Sequence, residues 1–315
     1  MATTRIDDLR MLDPVLTTIA QGYSNAAMVA EHLFPTIEVS KLKGKIPVFE
    51  RNAFIIRDTH RAIRANSNRI PPSDINFIEF ETKEKDIEIA IDYIEEEESL
   101  EGSLLEHRLA KELRDILLLG KEKEAADLVQ NPNNFINDLK LVITEDTCFN
   151  DYYNSTNPLL VIKDAMVSIK ERIAHYPNTM IIGNECYQTL LEHPKIVEKV
   201  MYSGISKVTK KILEQLFDIS NIHIGLSVYS EDGENFQDVW KDNIILAYVD
   251  PSNQNRSEFN PSFGYTLQRV GMPEIDSYYE NGGKTKIIRA TDNYAIKVTA
   301  SDACYLIYNT NHPLD

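Results

Sequence analysis

The stretch LEGSLLEHRLAKELRDILLLGKEKEAADLVQ, residues 100–130, carries helical periodicity through more turns than any other part of the chain. Leu105, Leu109, Leu113, Ile116 and Leu117 recur at spacings of three and four, which in a helix places them on one face while Arg108, Lys111, Glu112 and Asp115 turn elsewhere. Ser103 can accept from the free amides at the start. The acidic run Glu95–Glu98 stands where the helix dipole favours negative charge, and Asn131-Pro132 ends the pattern. At 1.5 Å per residue the helix would span about 40 Å. Such a length predicts a spine against which the other elements pack.

Outward from this helix, composition sets the class. The chain has 315 residues, 43% of them hydrophobic, enough for one large or two ordinary domains with a substantial core. No window approaches the roughly 18 consecutive apolar residues of a membrane span, and no basic segment followed by an apolar run opens the chain, so neither a membrane partner nor a signal peptide is expected. Cys148, Cys186 and Cys304 are odd in number and widely separated, which predicts reduced, buried thiols. A net charge of −16 argues against a surface that grips a phosphate backbone; any contact with nucleic acid should be loose.

N-terminal to the spine, residues 1–40 hold Val15, Leu16, Ile19, Tyr23, Leu33 and Phe34 among small polar residues, cut by Pro14, Gly22 and Pro35 into short helical turns at most. An arm of this kind has little core of its own; it is expected to bury its apolar residues against another part of the protein or against a neighbouring chain, and to be ordered only in the assembly. Between Lys41 and Pro72 eight basic residues face two acidic ones, and between Glu79 and Glu101 eleven carboxylates face two lysines, a contrast of +6 against −9. Strand character at 46–49, at 53–56 and at Ile87, Ile89, Ile91 and Tyr93 predicts a long two-stranded excursion with a polar tip at 59–73. An isolated ribbon is marginal in water, so it needs a partner surface. Arg51, Arg57, Arg61, Arg64 and Arg69 on the excursion, and Glu95, Glu96, Glu97, Glu98 and Glu101 at its base, are the candidate inter-subunit contact residues. A nucleic-acid-binding hairpin is the competing reading, but no aromatic residues are interleaved with the tip arginines.

C-terminal to the spine, a short strand at 139–143 precedes a helix opened by Pro158, running through Ile162, Met166, Ile169 and Ile173 and ended by Tyr176-Pro177. Strand 179–182, helix 185–192, helix 208–217 and strand 222–228 form a small α/β lobe, with a hairpin turn at Asp232-Gly233 and a buried strand 244–249 leaving it. Residues 250–315 are strand-dominated, with a hairpin at Asn281-Gly282-Gly283 and strands at 294–299 and 304–308. The fold class is α+β.

Searches for chemistry return nothing. Gly283-Lys284-Thr285 lacks the glycine five residues upstream that a phosphate-binding loop requires, since Tyr278 stands there. Gly225-Leu226-Ser227-Val228 has Tyr229 where a nucleophile elbow closes on glycine. The seven histidines show no ligand spacing with one another or with the cysteines, and Glu95–Glu98 lacks the alternating oxygen ligands of a calcium loop. No catalytic residue, cofactor or metal is expected.

The order of parts (apolar arm, charged β excursion, spine helix, α/β lobe, returning strands) resembles the major capsid proteins of tailed bacteriophages, of the Hong Kong 97 phage type. Local sequences agree along essentially the whole chain: Leu12-Asp13-Pro14-Val15-Leu16-Thr17, Leu33-Phe34-Pro35, Lys45-Ile46-Pro47-Val48-Phe49, Tyr248-Val249-Asp250-Pro251, Pro261-Ser262-Phe263-Gly264-Tyr265 and Thr291-Asp292-Asn293-Tyr294. The resemblance implies an N-terminal arm at 1–40, an extended loop at 41–90, a peripheral domain with the spine helix at 91–155 and 251–315, and an axial domain at 156–250. It also implies self-assembly through pentamers and hexamers into an icosahedral head shell around double-stranded DNA, with scaffold, portal and decoration proteins as further partners. The location would be the virion, after assembly in the host cytoplasm. Some relatives cross-link a loop lysine to a neighbour's asparagine; Lys41, Lys43 and Lys45 lie at the loop base, so that chemistry is not expected. With the arm at the start of the chain, no built-in scaffold segment is expected before it. Two alternatives are a cellular nanocompartment shell of the same fold and a soluble α/β enzyme without a familiar motif.

Overall fold

The structure, a computed structural model, describes residues 10–22, 25, 27–49, 51–61, 63–64, 66–69, 76–99, 104–144, 147–152, 156–202, 207–250 and 261–312. The arm supplies β1 (Met11–Leu12), α1 (Pro14–Gly22) and β2 (Thr36–Val39). The excursion contains β3 (Lys43–Pro47) and β4 (Phe77–Glu81), followed by β5 (Lys83–Asp92), α2 (Tyr93–Glu98) and α3 (Leu104–Gln130). Next come β6 (Lys140–Val142), α4 (Pro158–Ile173), β7 (Thr179–Gly183), α5 (Asn184–Glu192), α6 (Pro194–Met201), α7 (Lys210–Phe217) and β8 (Asn221–Gly225). The hairpin β9 (Val228–Tyr229) and β10 (Gln237–Asp238) leads to β11 (Asn243–Ala247). The chain closes with β12 (Gly264–Arg269), β13 (Glu274–Glu280), β14 (Thr285–Val298) and β15 (Cys304–Tyr308).

Two sheets organise these elements. In the first, β14 pairs with β13 and then β12 along one edge and with β5 along the other, while β1 and β2 flank β13 and β12. The second runs β6-β15-β11-β7-β8 and is mixed: β6 with β15 and β7 with β8 are parallel, whereas β11 is antiparallel to both neighbours. β7 and β11 are buried at every position, as their unbroken apolar runs require of strands covered on both faces. α4 covers this sheet with Ile162, Ala165, Met166, Ile169 and Ile173, all buried at helical spacing.

The spine helix forms as its periodicity predicts, 27 residues long, and it serves both cores. Leu109, Ala110 and Leu113 pack with Leu16, Ala20, Ile91, Ile275 and Ile288 over the first sheet; Ala125, Ala126 and Val129 join the larger core around the second. Ile116 is 45% exposed, so the apolar stripe is narrower than the leucine spacing suggests. The expected Ser103 cap and Glu101 lie outside the described residues. Glu95–Glu98 does not form the helix's first turn. It makes a separate helix, α2, closed by a capping box in which Asp92 Oδ1 accepts from Ile94 N–H at 3.0 Å and Glu95 Oε2 from Asp92 N–H at 3.1 Å.

Several expectations are corrected. The arm contains a nine-residue helix, α1, because Asp13 Oδ1 accepts from the amides of Val15 and Leu16 at 2.8 and 2.9 Å and so caps what Pro14 opens. Of its apolar residues Leu16, Leu33 and Phe34 are buried within the chain, Val15 is 60% exposed, and Tyr23 lies outside the described residues. Residues 53–56 are not a strand, since Arg51–Phe54 turn in a 3-10 helix. The alternating strand Ile87–Tyr93 does not close the excursion; β5 enters the first sheet beside β14, and β4 pairs with β3 instead. α4 ends at Ile173, with Ala174 in the left-handed conformation, before Tyr176-Pro177. α6 stands between the two expected helices of the lobe. The strand expected at 244–249 ends at Ala247 and lies at the centre of the second sheet rather than leaving it; β6 and β15 also join that sheet, from outside residues 156–250.

One buried carboxylate ties the parts together. Glu122, on α3, accepts from the backbone N–H of Val29 and of Ala30, both at 2.8 Å, and from Trp240 Nε1 at 2.6 Å. Trp240 in turn lies against the end of β8, where a side chain on Gly225 would come within 2.4 Å of its ring. Burial pushes the Glu122 carboxyl above the usual range, and the three donors pull the other way. On the same helix Arg114 meets Asp292 at 3.1 Å, and Asp292 accepts from Gln268 at 2.6 Å, which anchors the helix to β14 and β12. At the C-terminal end Asp242 accepts from Thr310 Oγ1 at 2.5 Å and from the amides of Asn311 and His312, fixing the chain after β15 to the segment before β11.

Glu122→Ala should lower stability by about 3 kcal/mol or more, because three buried donors lose their acceptor together; denaturant unfolding of the purified chain measures it. Cys148, Cys186 and Cys304 are buried, and burial raises the last two thiols well above the ordinary range. Alkylation of the native chain should therefore be slow, with all three thiols reacting in denaturant without reductant, as mass measurement would show.

Candidate assembly interface

The excursion is rooted before it is free. β3 and β4 pair antiparallel from Lys43↔Glu81 to Pro47↔Phe77, and Lys43 meets Glu81 at 2.8 Å while Lys45 meets Glu79 at 3.0 Å. The base lysines are thus neutralised across the ribbon. Gly44 lies under the Phe80 ring, where a Cβ would come within 2.7 Å, and Phe80 packs with Ile37, Tyr265 and Leu267 of the first sheet. Past this root Phe49 N–H donates to Thr299 O at 3.1 Å, and beyond it the sheet no longer accompanies the chain.

Arg51, Arg57, Arg61, Arg64 and Arg69 all lie in this outer part and are exposed. Arg64 adopts a left-handed backbone at φ 69°, and Asn68 Nδ2 donates to the carbonyls of Asp58 and His60 at 3.0 and 2.8 Å, which closes the tip into a loop. Residues 70–73 of the expected tip lie outside the described residues.

The acidic partner set is elsewhere. In α2, Glu95 is engaged in the capping box, Glu96 lies 3.8 Å from Lys286, and Glu97 and Glu98 are exposed. Burial alone would lower the Lys286 ammonium, but Glu106 at 2.5 Å, with Glu96 behind it, outweighs this and raises it. Among the described residues no ion pair joins Arg51, Arg57, Arg64 or Arg69 to Glu95–Glu98 within the chain. The two sets are presented to solvent on different elements.

The sequence reading missed the apolar component of this surface. Phe54, Ile55, Ile56 and Ile63 stand among the arginines with Ile56 98% and Ile63 93% exposed. Three consecutive large apolar residues at 54–56 next to a basic tract read equally as a buried strand, and the signal that distinguishes them is the absence of a pairing partner for that run. Exposed aliphatic residues grouped in this way mark a contact surface rather than scattered background. Among the described residues no group of three or more His, Cys, Asp or Glu is arranged to hold a metal ion, and no helix is long and apolar enough to cross a membrane.

No protein-family model matches the chain. The major capsid protein of Burkholderia phage BcepMu is 39% identical over 309 residues, 98% of this chain and 99% of that protein. Among solved structures, a phage-related protein from Bordetella bronchiseptica RB50 superimposes with a TM-score of 0.79 at 28% identity, covering 96% of this chain and 99% of the other. The capsid structure of Cyanophage P-SCSP1u gives a TM-score of 0.55 at 12% identity over 92% and 90%, a likeness of fold alone. The mixed sheets and long helix are those of the Hong Kong 97 phage type, and 39% identity over nearly the full length of a capsid subunit shows the family: the chain is a member of the phage major capsid proteins.

Proposed function

We propose that this capsid subunit assembles through pentamers and hexamers into a closed icosahedral shell around double-stranded DNA, and that its contacts are made largely by the excursion. The observation that carries this reading is the separation of opposite charges on one chain: exposed arginines beyond the ribbon root and exposed carboxylates on α2, with no ion pair joining Arg51, Arg57, Arg64 or Arg69 to Glu95–Glu98 among the described residues. Surfaces that cannot pair within a chain but are complementary between copies generate head-to-tail contacts, which close into rings and lattices. The excursion lies over the neighbour's acidic helix, with Glu95–Glu98 and Glu101 facing Arg51, Arg57, Arg61, Arg64 and Arg69, and Phe54, Ile55, Ile56 and Ile63 buried in the same contact. Residues 1–40 act as an arm, 41–90 as the extended loop, and the α/β lobe at 156–250 meets its copies at five-fold and six-fold centres.

The excess of negative charge suits a wall to which packaged DNA does not adhere. The chain carries no catalytic function in this reading. It assembles in the host cytoplasm, with scaffold, portal and decoration proteins as the additional partners.

Each exposed ion pair contributes only about 0 to 1 kcal/mol, so the effect comes from many pairs repeated around a shell. Assembly should weaken as salt is raised. Reversing Arg57, Arg61 and Arg64 to glutamate should leave the subunit folded by circular dichroism and block shells in negative-stain electron microscopy. Adding Glu96→Lys, Glu97→Lys and Glu98→Lys to the same chain should restore them. Normal shells from the arginine reversal alone would refute the pairing, and shells carrying enzyme cargo in place of a genome would transfer the protein to the nanocompartment reading.

A further inference from the structure

The arm meets the α/β lobe at a histidine pair that neither the fold nor the assembly contact explains. His32 ends the 3-10 turn Ala30–His32, and His223 lies in β8, at the edge of the second sheet. Their rings are stacked, centroids 3.6 Å apart and planes within 12°. Two neutral imidazoles stack favourably, whereas two imidazolium ions at that separation repel. The turn that presents His32 is also held by burial of Val29, Ala30, Leu33 and Phe34 in the larger core and by the bonds from the Val29 and Ala30 amides to Glu122, so the histidine pair is the solvent-accessible part of this docking contact.

We propose that His32 and His223 form a proton-operated latch between the arm and the α/β lobe, closed while both rings are neutral and released when both are protonated. His32 keeps an edge in solvent, so protons reach the pair without prior unfolding. The charges facing it are few. Glu31, beside His32 on the arm, favours its protonated form; Lys210, at the start of α7, opposes protonation of both rings; Asp250, beyond β11, lines the same recess with Asn178 and Asn221; and Glu122 of α3 stands behind the turn. Burial lowers both imidazoles below their ordinary value, His223 to about 4, with His32 and Lys210 adding to the effect on His223. A histidine held below its free value contributes fully to docking above about 6.5, and that contribution is lost as pH falls from there through about 4. The released state binds up to two more protons than the docked one, one on each ring, so the latch opens over this window and closes again on neutralisation.

The chain has a single tryptophan, and it reports on the latch. Trp240 shares Glu122 with the amides of Val29 and Ala30, so its emission is sensitive to departure of the turn. Fluorescence of the full chain, followed from about pH 8 to about pH 4 with far-ultraviolet circular dichroism in parallel, should show a red shift between pH 6.5 and 4 without loss of secondary structure. The docking equilibrium should fall roughly 10- to 100-fold across that range. The double variant His32→Phe/His223→Phe keeps two stacking rings and cannot titrate; its emission should stay flat over the same interval. An unchanged transition in that variant would assign the event to Glu122 or to general acid unfolding and overturn the latch, as would a flat response in the native chain. If the variant does not fold at pH 8, the Cε1 proton resonances of the native histidines decide. Both rings titrating below 6.5 supports the latch, and either titrating at or above that value overturns it.

Discussion

Three hydrogen bonds to one carboxylate hold this subunit in one arrangement. The spine helix runs from one core into the other, but packing along a helix does not fix how an arm and a second sheet are placed around it. Glu122 does, because two of its donors are backbone amides at the arm's 3-10 turn and the third is the indole of the lobe. Amides at the start of a helical turn have no partner within the turn, and burying them without an acceptor would be more costly than leaving the arm in solvent. The adjacent Lys121 has its own partners, 5.5 Å over the Tyr294 ring and 3.5 Å from Thr36 Oγ1. A consecutive lysine and glutamate, ordinarily a sign of a solvated face, is here the polar hinge-pin of the subunit.

That inversion explains where the sequence was readable. The spine helix, the hairpin at Asn281-Gly282-Gly283, the α4 stripe and the alternating run of β5 follow from local periodicity and turn chemistry, and each occurs where the residues place it. What periodicity does not encode is partnership. The alternation at Ile87, Ile89 and Ile91 says that one face of β5 is buried; it does not say that the neighbour is β14, almost 200 residues away, rather than the strand across the excursion. Arg114, Lys121 and Glu122 fall in register with the apolar positions of α3, and a hydrophobicity count treats them as interruptions instead of contacts.

The excursion shows the same division. Its charge contrast was legible as composition, but the pairing of its parts was not. Lys43 and Lys45 are neutralised by Glu81 and Glu79 across the ribbon, so these lysines of the basic tract are not offered to a neighbour as its sequence suggests. The acidic run likewise divides, into residues engaged in the cap of α2 and beside Lys286, and residues facing solvent. Charge counted along a chain therefore overstates what a surface offers to a neighbour. The grouped Phe54, Ile55, Ile56 and Ile63 understate it, since a short apolar run looks the same whether it is to be buried within a chain or between chains.

β14 gives the subunit a mechanical property. β4 continues into β5 with Thr82 alone between them, and β5 lies antiparallel to β14 over ten matched positions, from Lys83↔Tyr294 to Asp92↔Thr285. A pull on the excursion is delivered along the axis of β5, so it loads that ladder in shear, with its hydrogen bonds resisting together. A tension applied across the strands would instead open them one pair at a time. The other edge of β14 is held by β13 and β12 in succession, so the load is shared by the whole first sheet. The excursion is thereby a tether that can carry tension without unzipping the body to which it is attached.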